Sequence, residues 1–155
     1  MDAEKLNGIL KGISNFGGIY DANQLERVKI LSLPVMLVIN SENHWIGVYL
    51  DEHDMEVMDS LGLIKNNNLN RHLCRFLCAH MQGKNFFATP QLQSNDSGDC
   101  GKYVISFLIF KAFTQKSLKE FSSVFSSNFE ENSQNISTIY KTIKKLLKRL
   151  GNQQG

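Results

Sequence analysis

Pro90-Gln-Leu-Gln-Ser-Asn-Asp-Ser-Gly-Asp-Cys-Gly-Lys-Tyr-Val-Ile-Ser-Phe-Leu-Ile-Phe-Lys-Ala-Phe113 reads as two halves joined at a cysteine. The first half, through Asp99, is polar and turn-forming. The second, from Cys100, is apolar nearly all round and predicts a buried helix. The join puts a thiol in the first turn of that helix, with Ser97 or Asp99 available to cap it. Unpaired N–H groups there carry partial positive charge, which stabilises a thiolate and lowers its pKa. Gly101 lets the backbone sit close to a substrate carbonyl. A cysteine nucleophile needs all of this. The other reading of Cys100 is a small buried residue, the commonest fate of a free cysteine.

Outward from this stretch the chain alternates helices and strands. Leu6, Ile9, Leu10 and Ile13 share one face of a short helix over 3–13, with Asp2 as its cap. Gly17-Gly18 and the residues to about Gln24 read as loop. Val35–Ile39 is a β-rich apolar run, and Trp45–Leu50 with Met55–Met58 reads as an antiparallel hairpin. Residues 69–81 are helical, and Asn85–Thr89 is a short strand ended by Pro90. Ser117-Leu-Lys-Glu120 is a capping box for a further helix. The Ser/Asn/Glu-rich stretch 126–137 reads as loop. The last helix aligns Ile139, Ile143, Leu147 and Leu150, with Gly151 just past its end.

A thiol nucleophile needs a base, and the chain has four histidines. His53 lies among acids at the hairpin turn and is solvated. His44 opens the Trp-containing strand, and Asp59 ends the next one. An even hairpin loop puts His44 and Asp59 on one face, diagonally offset by about 7–8 Å, so their side chains can meet. The carboxylate would then fix the imidazole tautomer. An odd loop puts them on opposite faces. Gln93 is a candidate oxyanion donor, together with the backbone N–H of the nucleophile. His72, Cys74, Cys78 and His80 imitate a metal cluster, but on one helix the histidines point away from the cysteine pair, so the four cannot converge.

Length and composition fit one domain over 1–155: 42% of the residues are hydrophobic and 21% charged. The net charge of +2 hides an asymmetry. Residues 138–155 hold Lys141, Lys144, Lys145, Lys148 and Arg149 with no acid, while the other 137 residues hold 12 bases against 15 acids. A basic C-terminal helix is therefore expected over about 137–150. Acids at Asp2 and Glu4 stand where a secretory signal carries bases, and the longest apolar run, Val104–Phe110, is too short to cross a bilayer. The chain is expected to be soluble, intracellular and free of the membrane, its three cysteines reduced.

The order His44-Trp45, then Val57-Met-Asp59-Ser-Leu-Gly62, then Gln93-x₆-Cys100-Gly101 resembles the adenovirus protease (adenain) family. That family shares a clan with the SUMO and ubiquitin-like-protein proteases. Phe16-Gly-Gly-Ile-Tyr-Asp21 is similar to a segment near the family's N-terminus. Leu92-Gln-Ser94, Ser97, Tyr103 and Phe107-Leu108 fit the version carried by Polinton/Maverick elements and adintoviruses. The resemblance runs from about residue 4 to at least 120. It implies an α+β fold with a central mixed sheet flanked by helices. It implies His44 as general base, Asp59 as the residue orienting it, Gln93 as oxyanion donor, Cys100 as nucleophile and Trp45 packing beside them. The implied substrates are viral precursor (capsid or core) proteins, cleaved at small-residue, Gly-containing sites. No cofactor is required, although DNA serves the family as an activator, which makes the basic C-terminal residues a candidate DNA contact. A monomer in the host nucleus or the virion is expected. Two departures stand out: Asp59 replaces the adenoviral Glu, and Asp99 is usual in the SUMO-protease branch. Cys74 and Cys78 do not align with the cysteine that bonds the adenoviral activator peptide, so no such disulfide is expected. A cellular SUMO-type protease is the alternative, and a non-catalytic DNA- or capsid-binding protein is a second.

Overall fold

The structure, a computed structural model, describes the backbone of residues 1–154 and the side chains of residues 1–152. Five strands form one sheet in sequential order: β1 (Phe16–Asp21), β2 (Val35–Ser41), β3 (His44–Leu50), β4 (Asp54–Met58) and β5 (Asn85–Ala88). The two outer pairs are parallel and the two inner pairs antiparallel, so the sheet is mixed, as expected. Helices α1 (Ala3–Leu10), α3 (Cys100–Thr114), α4 (Leu118–Ser122) and α5 (Phe129–Gln154) pack on one face. The other face carries α2 (Arg71–Met81) and a 3₁₀ helix, Ala22–Arg27.

Strand alternation divides the core between these layers. Met36, Val38, Trp45 and Met58 join the α3 side, while Leu37, Ile39, Ile46, Val48 and Val57 join the α2 side. Helix α3 is buried along most of its length, with Tyr103, Val104, Ile105, Phe107 and Leu108 fully enclosed. It crosses β3 at Gly47, where an added Cβ would lie 3.1 Å from Val104 Cγ1. The missing side chain lets the helix approach closely and brings its first residue, Cys100, to the His44 end of the strand.

Three expectations change. Gly17-Gly18 is not loop but lies within β1, at an irregularity of register between Phe16 and Ile19. Extra chain there is accommodated as a bulge, which is where strand glycines occur. Residues 126–137 are mostly not loop: Asn128 Oδ1 accepts the N–H groups of Glu130 and Glu131, and α5 runs on from Phe129. The basic helix therefore begins earlier than about 137. Gly151 lies inside α5 and does not end it, a glycine in a helix costing only about 1 kcal/mol.

An ion pair crosses the core. Lys111 Nζ on α3 lies 2.7 Å from Glu56 Oε1 on β4, both side chains under one tenth exposed. Glu56 Oε2 accepts the Leu118 N–H at 2.7 Å, so one carboxylate holds both the end of α3 and the start of α4. Lys111 also sits 4.2 Å from the Tyr49 ring centroid. Removing one partner of such a pair strands a buried charge. Lys111→Met is therefore expected to lower unfolding free energy by about 3–5 kcal/mol in denaturant titration, and Lys111→Met with Glu56→Gln by clearly less.

Candidate active site

His44 is placed by the β2–β3 turn. Glu42 and Asn43 both have positive φ, 54° and 65°, the conformation of a tight two-residue hairpin. Asn40 Oδ1 accepts the Asn43 N–H at 3.2 Å and braces it. The β3–β4 register pairs Gly47 with Met58 and Leu50 with Met55, so the hairpin loop is even. His44 and Asp59 therefore share a face, and Nε2 of the ring lies 2.8 Å from Asp59 Oδ1. Both residues are buried, Asp59 completely.

Asp59 is tightly held. Its Oδ2 accepts the Ile64 N–H at 2.9 Å. Thr89 Oγ1 accepts the Asp59 N–H and donates to the Asp59 carbonyl, both at 2.8 Å. Gly62, at φ +66°, turns the chain after Asp59, and a Cβ there would stand 2.6 Å from Gln91 N. That close approach docks residues 90–93 beside Ser60, whose carbonyl accepts the N–H groups of Leu92 and Gln93.

Asp59 takes His44 Nε2, so Nδ1 remains for the Cys100 thiol. Burial alone would push the imidazolium pKa down. Hydrogen bonds to Asp59 and Cys100 and the negative charge of both outweigh burial and raise His44 to about 9. Burial alone would push the thiol up. The hydrogen bond to His44, the N–H of Trp45, the His44 charge and the N–H of Gly101 outweigh it and hold Cys100 below its ordinary value. Both shifts favour a thiolate–imidazolium pair.

Cys100 is the first residue of α3. Neither Ser97 nor Asp99 caps the helix with its side chain. The reason lies in tertiary contacts: Asp99 Oδ2 accepts from Ser97 Oγ at 2.9 Å and Ser133 Oγ at 2.8 Å, and Oδ1 lies 3.3 Å from Lys102 Nζ. Burial raises the Asp99 pKa, but Ser133, Ser97 and Lys102 more than reverse this, so the carboxylate stays charged. The first-turn N–H groups beside the thiol are left uncapped.

Gln93 is 3% exposed and oriented through both ends of its amide. Ser60 Oγ donates to Oε1 at 2.6 Å, and Nε2 donates to the Ser97 carbonyl at 3.0 Å. An amide nitrogen carries two protons, so one N–H is left beyond the Ser97 bond. Trp45 packs beside the site, its indole Nε1 donating to the Met1 carbonyl at 2.8 Å. The Met1 side chain covers Gly101, its Sδ 3.0 Å from where a Cβ would stand.

Sequence reasoning missed Thr89, Ser60, Ser133 and Asn132. Asn132 donates to the Leu92 carbonyl at 2.9 Å and the Ser126 carbonyl at 2.8 Å, tying α5 to the loop before Cys100. The signal was a cluster of short polar side chains in 126–137, read as loop composition. The other histidines and cysteines lie elsewhere. His72 pairs with Glu26 at 3.1 Å, His80 stacks on Phe76, and Cys74 and Cys78 are exposed. Among the described residues no helix is long and apolar enough to cross a membrane.

The fold is similar to the central domain of the uncharacterized Lpg1148 protein from Legionella pneumophila (TM-score 0.53, 16% identity, 98% of each chain covered). Weaker similarity extends to the SUMO protease Ulp1 with its catalytic cysteine oxidized to a sulfinic acid (TM-score 0.43, 15% identity, 94% of this chain and 75% of that one). A de-sumoylating protease gives a TM-score of 0.38 at 14% identity, covering 94% of this chain and 77% of that one. No curated protein matches the sequence. Residues 11–149 match the Ulp1 protease family, C-terminal catalytic domain. Spanning most of the chain, this match makes the protein a member of the Ulp1 protease family, and hence a cysteine protease.

Proposed function

We propose that the chain is an endopeptidase that cleaves precursor polypeptides at small-residue, Gly-containing sites through Cys100, His44, Asp59 and Gln93. The observation that carries the reading is His44 Nε2 held 2.8 Å from Asp59 Oδ1, in a ring that lowers the pKa of Cys100, the first residue of α3. The Cys100 thiolate attacks the scissile carbonyl and a C–S bond forms. The oxyanion is met by the Cys100 N–H and the free N–H of Gln93. His44 Nδ1 gives its proton to the leaving amine as the C–N bond breaks. Water then attacks the thioester with His44 as base, which restores the thiol. Met1 packs on Gly101 and accepts the Trp45 indole N–H, and crowding there would favour substrate residues without bulky side chains. The resemblance to proteases of virus-like elements supports precursor proteins as substrates, in a particle or a host nucleus.

A ubiquitin-like-modifier protease is the second reading. The family match and an Asp at position 59 favour it. Cys100→Ala should abolish cleavage of a Gly-Gly-containing precursor peptide, and iodoacetamide at neutral pH should label Cys100 before Cys74 and Cys78. Wild-type turnover by Cys100→Ala would sink both readings. A SUMO C-terminal electrophile reacting with Cys100 much faster than a short peptide electrophile of the same tail would establish the second over the first.

The thiolate–imidazolium pair exists between the thiol and imidazolium pKa values. kcat/KM should therefore rise as Cys100 loses its proton and fall as His44 loses its own near pH 9. Asp59→Asn removes the negative charge that, with Cys100, raises His44, so the alkaline limb should move to lower pH and kcat should drop by about 10²-fold or more. An unmoved alkaline limb in that variant would show that Asp59 does not act through His44.

DNA contact by Lys141, Lys144, Lys145, Lys148 and Arg149 is the remaining expectation from the resemblance. Part of this basic set rims an apolar surface that supports a different partner, and one experiment separates the two, as follows.

A further inference from the structure

Two apolar grooves flank the C-terminal half of α5, at the far end of α3 from Cys100, about 20 Å along the helix. One, of about 670 Å³, lies against α3 and is lined by Ile109, Phe110, Phe113, Ile143, Leu146 and Leu150. The other, of about 770 Å³, lies against α1 and is floored by Ile9, Ile13 and Ala112. Phe113, Leu147 and Leu150 line both, so the grooves adjoin in one surface. Phe113 is 64% exposed, Leu146 51% and Leu150 41%. A contiguous apolar patch of this kind marks an interaction site.

The charges around it have one sign. Arg149 borders the first groove, and Lys11, Lys144 and Lys148 border the second. Among the described residues that line either groove there is no carboxylate. We infer that this surface is a docking site for an acidic amphipathic helix of another polypeptide, a recruiting site separate from the reacting thiol. From Thr138 to Leu150 the α3 groove runs about 18 Å, the length of roughly twelve helical residues. Apolar side chains at i, i+3, i+4 and i+7 would enter the grooves, and flanking carboxylates would meet the bases. DNA would use the cations but gain nothing from Phe113 and Leu146. A second copy would bring the same basic rim against itself, which a two-fold interface penalises. A flat anionic bilayer would meet the exposed Phe113, Leu146 and Leu150 but not the buried Ile109 and Ile143 between them. The inference goes beyond the proposed catalytic reading and does not depend on it.

The test uses fluorescein-labelled 14-residue amphipathic helical peptides with Leu and Phe on one face and Glu, Gln or Lys on the flanks, read by anisotropy. The Glu peptide should saturate at one per chain and bind at least about tenfold more tightly than the Lys peptide at low salt, with the gap closing as salt rises. Leu146→Asp and Phe113→Asp, both at exposed positions, should each weaken it about tenfold or more. Lys148→Glu with Arg149→Glu should weaken the Glu peptide and strengthen the Lys peptide. Unchanged Cys100 alkylation and an unchanged melting curve in each variant show that the fold is intact. Equal binding of the Glu and Lys peptides, no saturation, or indifference to Leu146→Asp would each overturn the inference. So would a dimer in sedimentation that Leu146→Asp dissociates. Capture of a 20-base-pair duplex or a phosphatidylserine vesicle that is lost with Leu146→Asp would also overturn it and identify the true occupant.

Discussion

A carboxylate with no access to solvent sets the conditions for everything around it. Asp59 is 0% exposed, and a buried charge costs several kcal/mol unless it is paired and hydrogen-bonded. Its partners come from two separate places, the ring of His44 and the N–H of Ile64, while the hydroxyl of Thr89 holds the Asp59 backbone. Satisfying the carboxylate therefore fixes the β3–β4 register and the turn through Gly62 together, and Thr89 ties the residue to the end of β5. The imidazole inherits its orientation from the carboxylate, and the thiol its depressed pKa from the imidazole. Helix α3 need only deliver Cys100 to the right end of β3, and the contact at Gly47 allows that.

The parts of this chain that could be read from sequence are those where local pattern and tertiary outcome agree. The β-rich apolar runs at 35–39 and 45–50 became strands, and the all-round apolar run after Cys100 became a buried helix. The register that joins His44 to Asp59 reduces to the parity of one hairpin loop, so it could be stated as a condition, and the even case holds. What escaped was wherever a side chain answers to a distant partner. Lys111 sits in an apolar run and looks like an intruder until Glu56 and the Tyr49 ring are beside it. Asp99 looks like a helix cap until Ser133 and Lys102 claim its carboxylate. Ser, Asn and Glu in 126–137 have loop composition, and local propensity misjudged them because tertiary bonds decide their state.

That last stretch also ties the two ends of the protein together. The start of α5 supports the segment before Cys100, through Asn132 on Leu92 and Ser133 on Asp99. Its far half carries the grooves and the bases. One helix of 26 residues thus braces the loop before Cys100 at one end and lines the apolar grooves at the other. The charge asymmetry of the sequence gains a location by this route. Lys144, Lys148 and Arg149, three bases of that C-terminal excess, lie beside exposed apolar side chains.

The amide of Gln93 shows how far the support of the site extends. A glutamine side chain rotates freely unless both ends of its amide are engaged, and only one of the two orientations offers an N–H to an oxyanion. The Ser60 hydroxyl donates to Oε1 and the Ser97 carbonyl accepts from Nε2, so the two contacts select the same orientation. Ser60 follows Asp59 in the chain, and Ser97 also donates to Asp99. The proposed oxyanion donor is therefore oriented by Ser60, the immediate neighbour of the carboxylate bonded to His44, and by the loop whose last acid precedes Cys100. The proposed base, nucleophile and oxyanion donor share their supports. A shift at Asp59 or at Asp99 would disturb all three, which is the preorganisation that acyl transfer in a water-poor site requires.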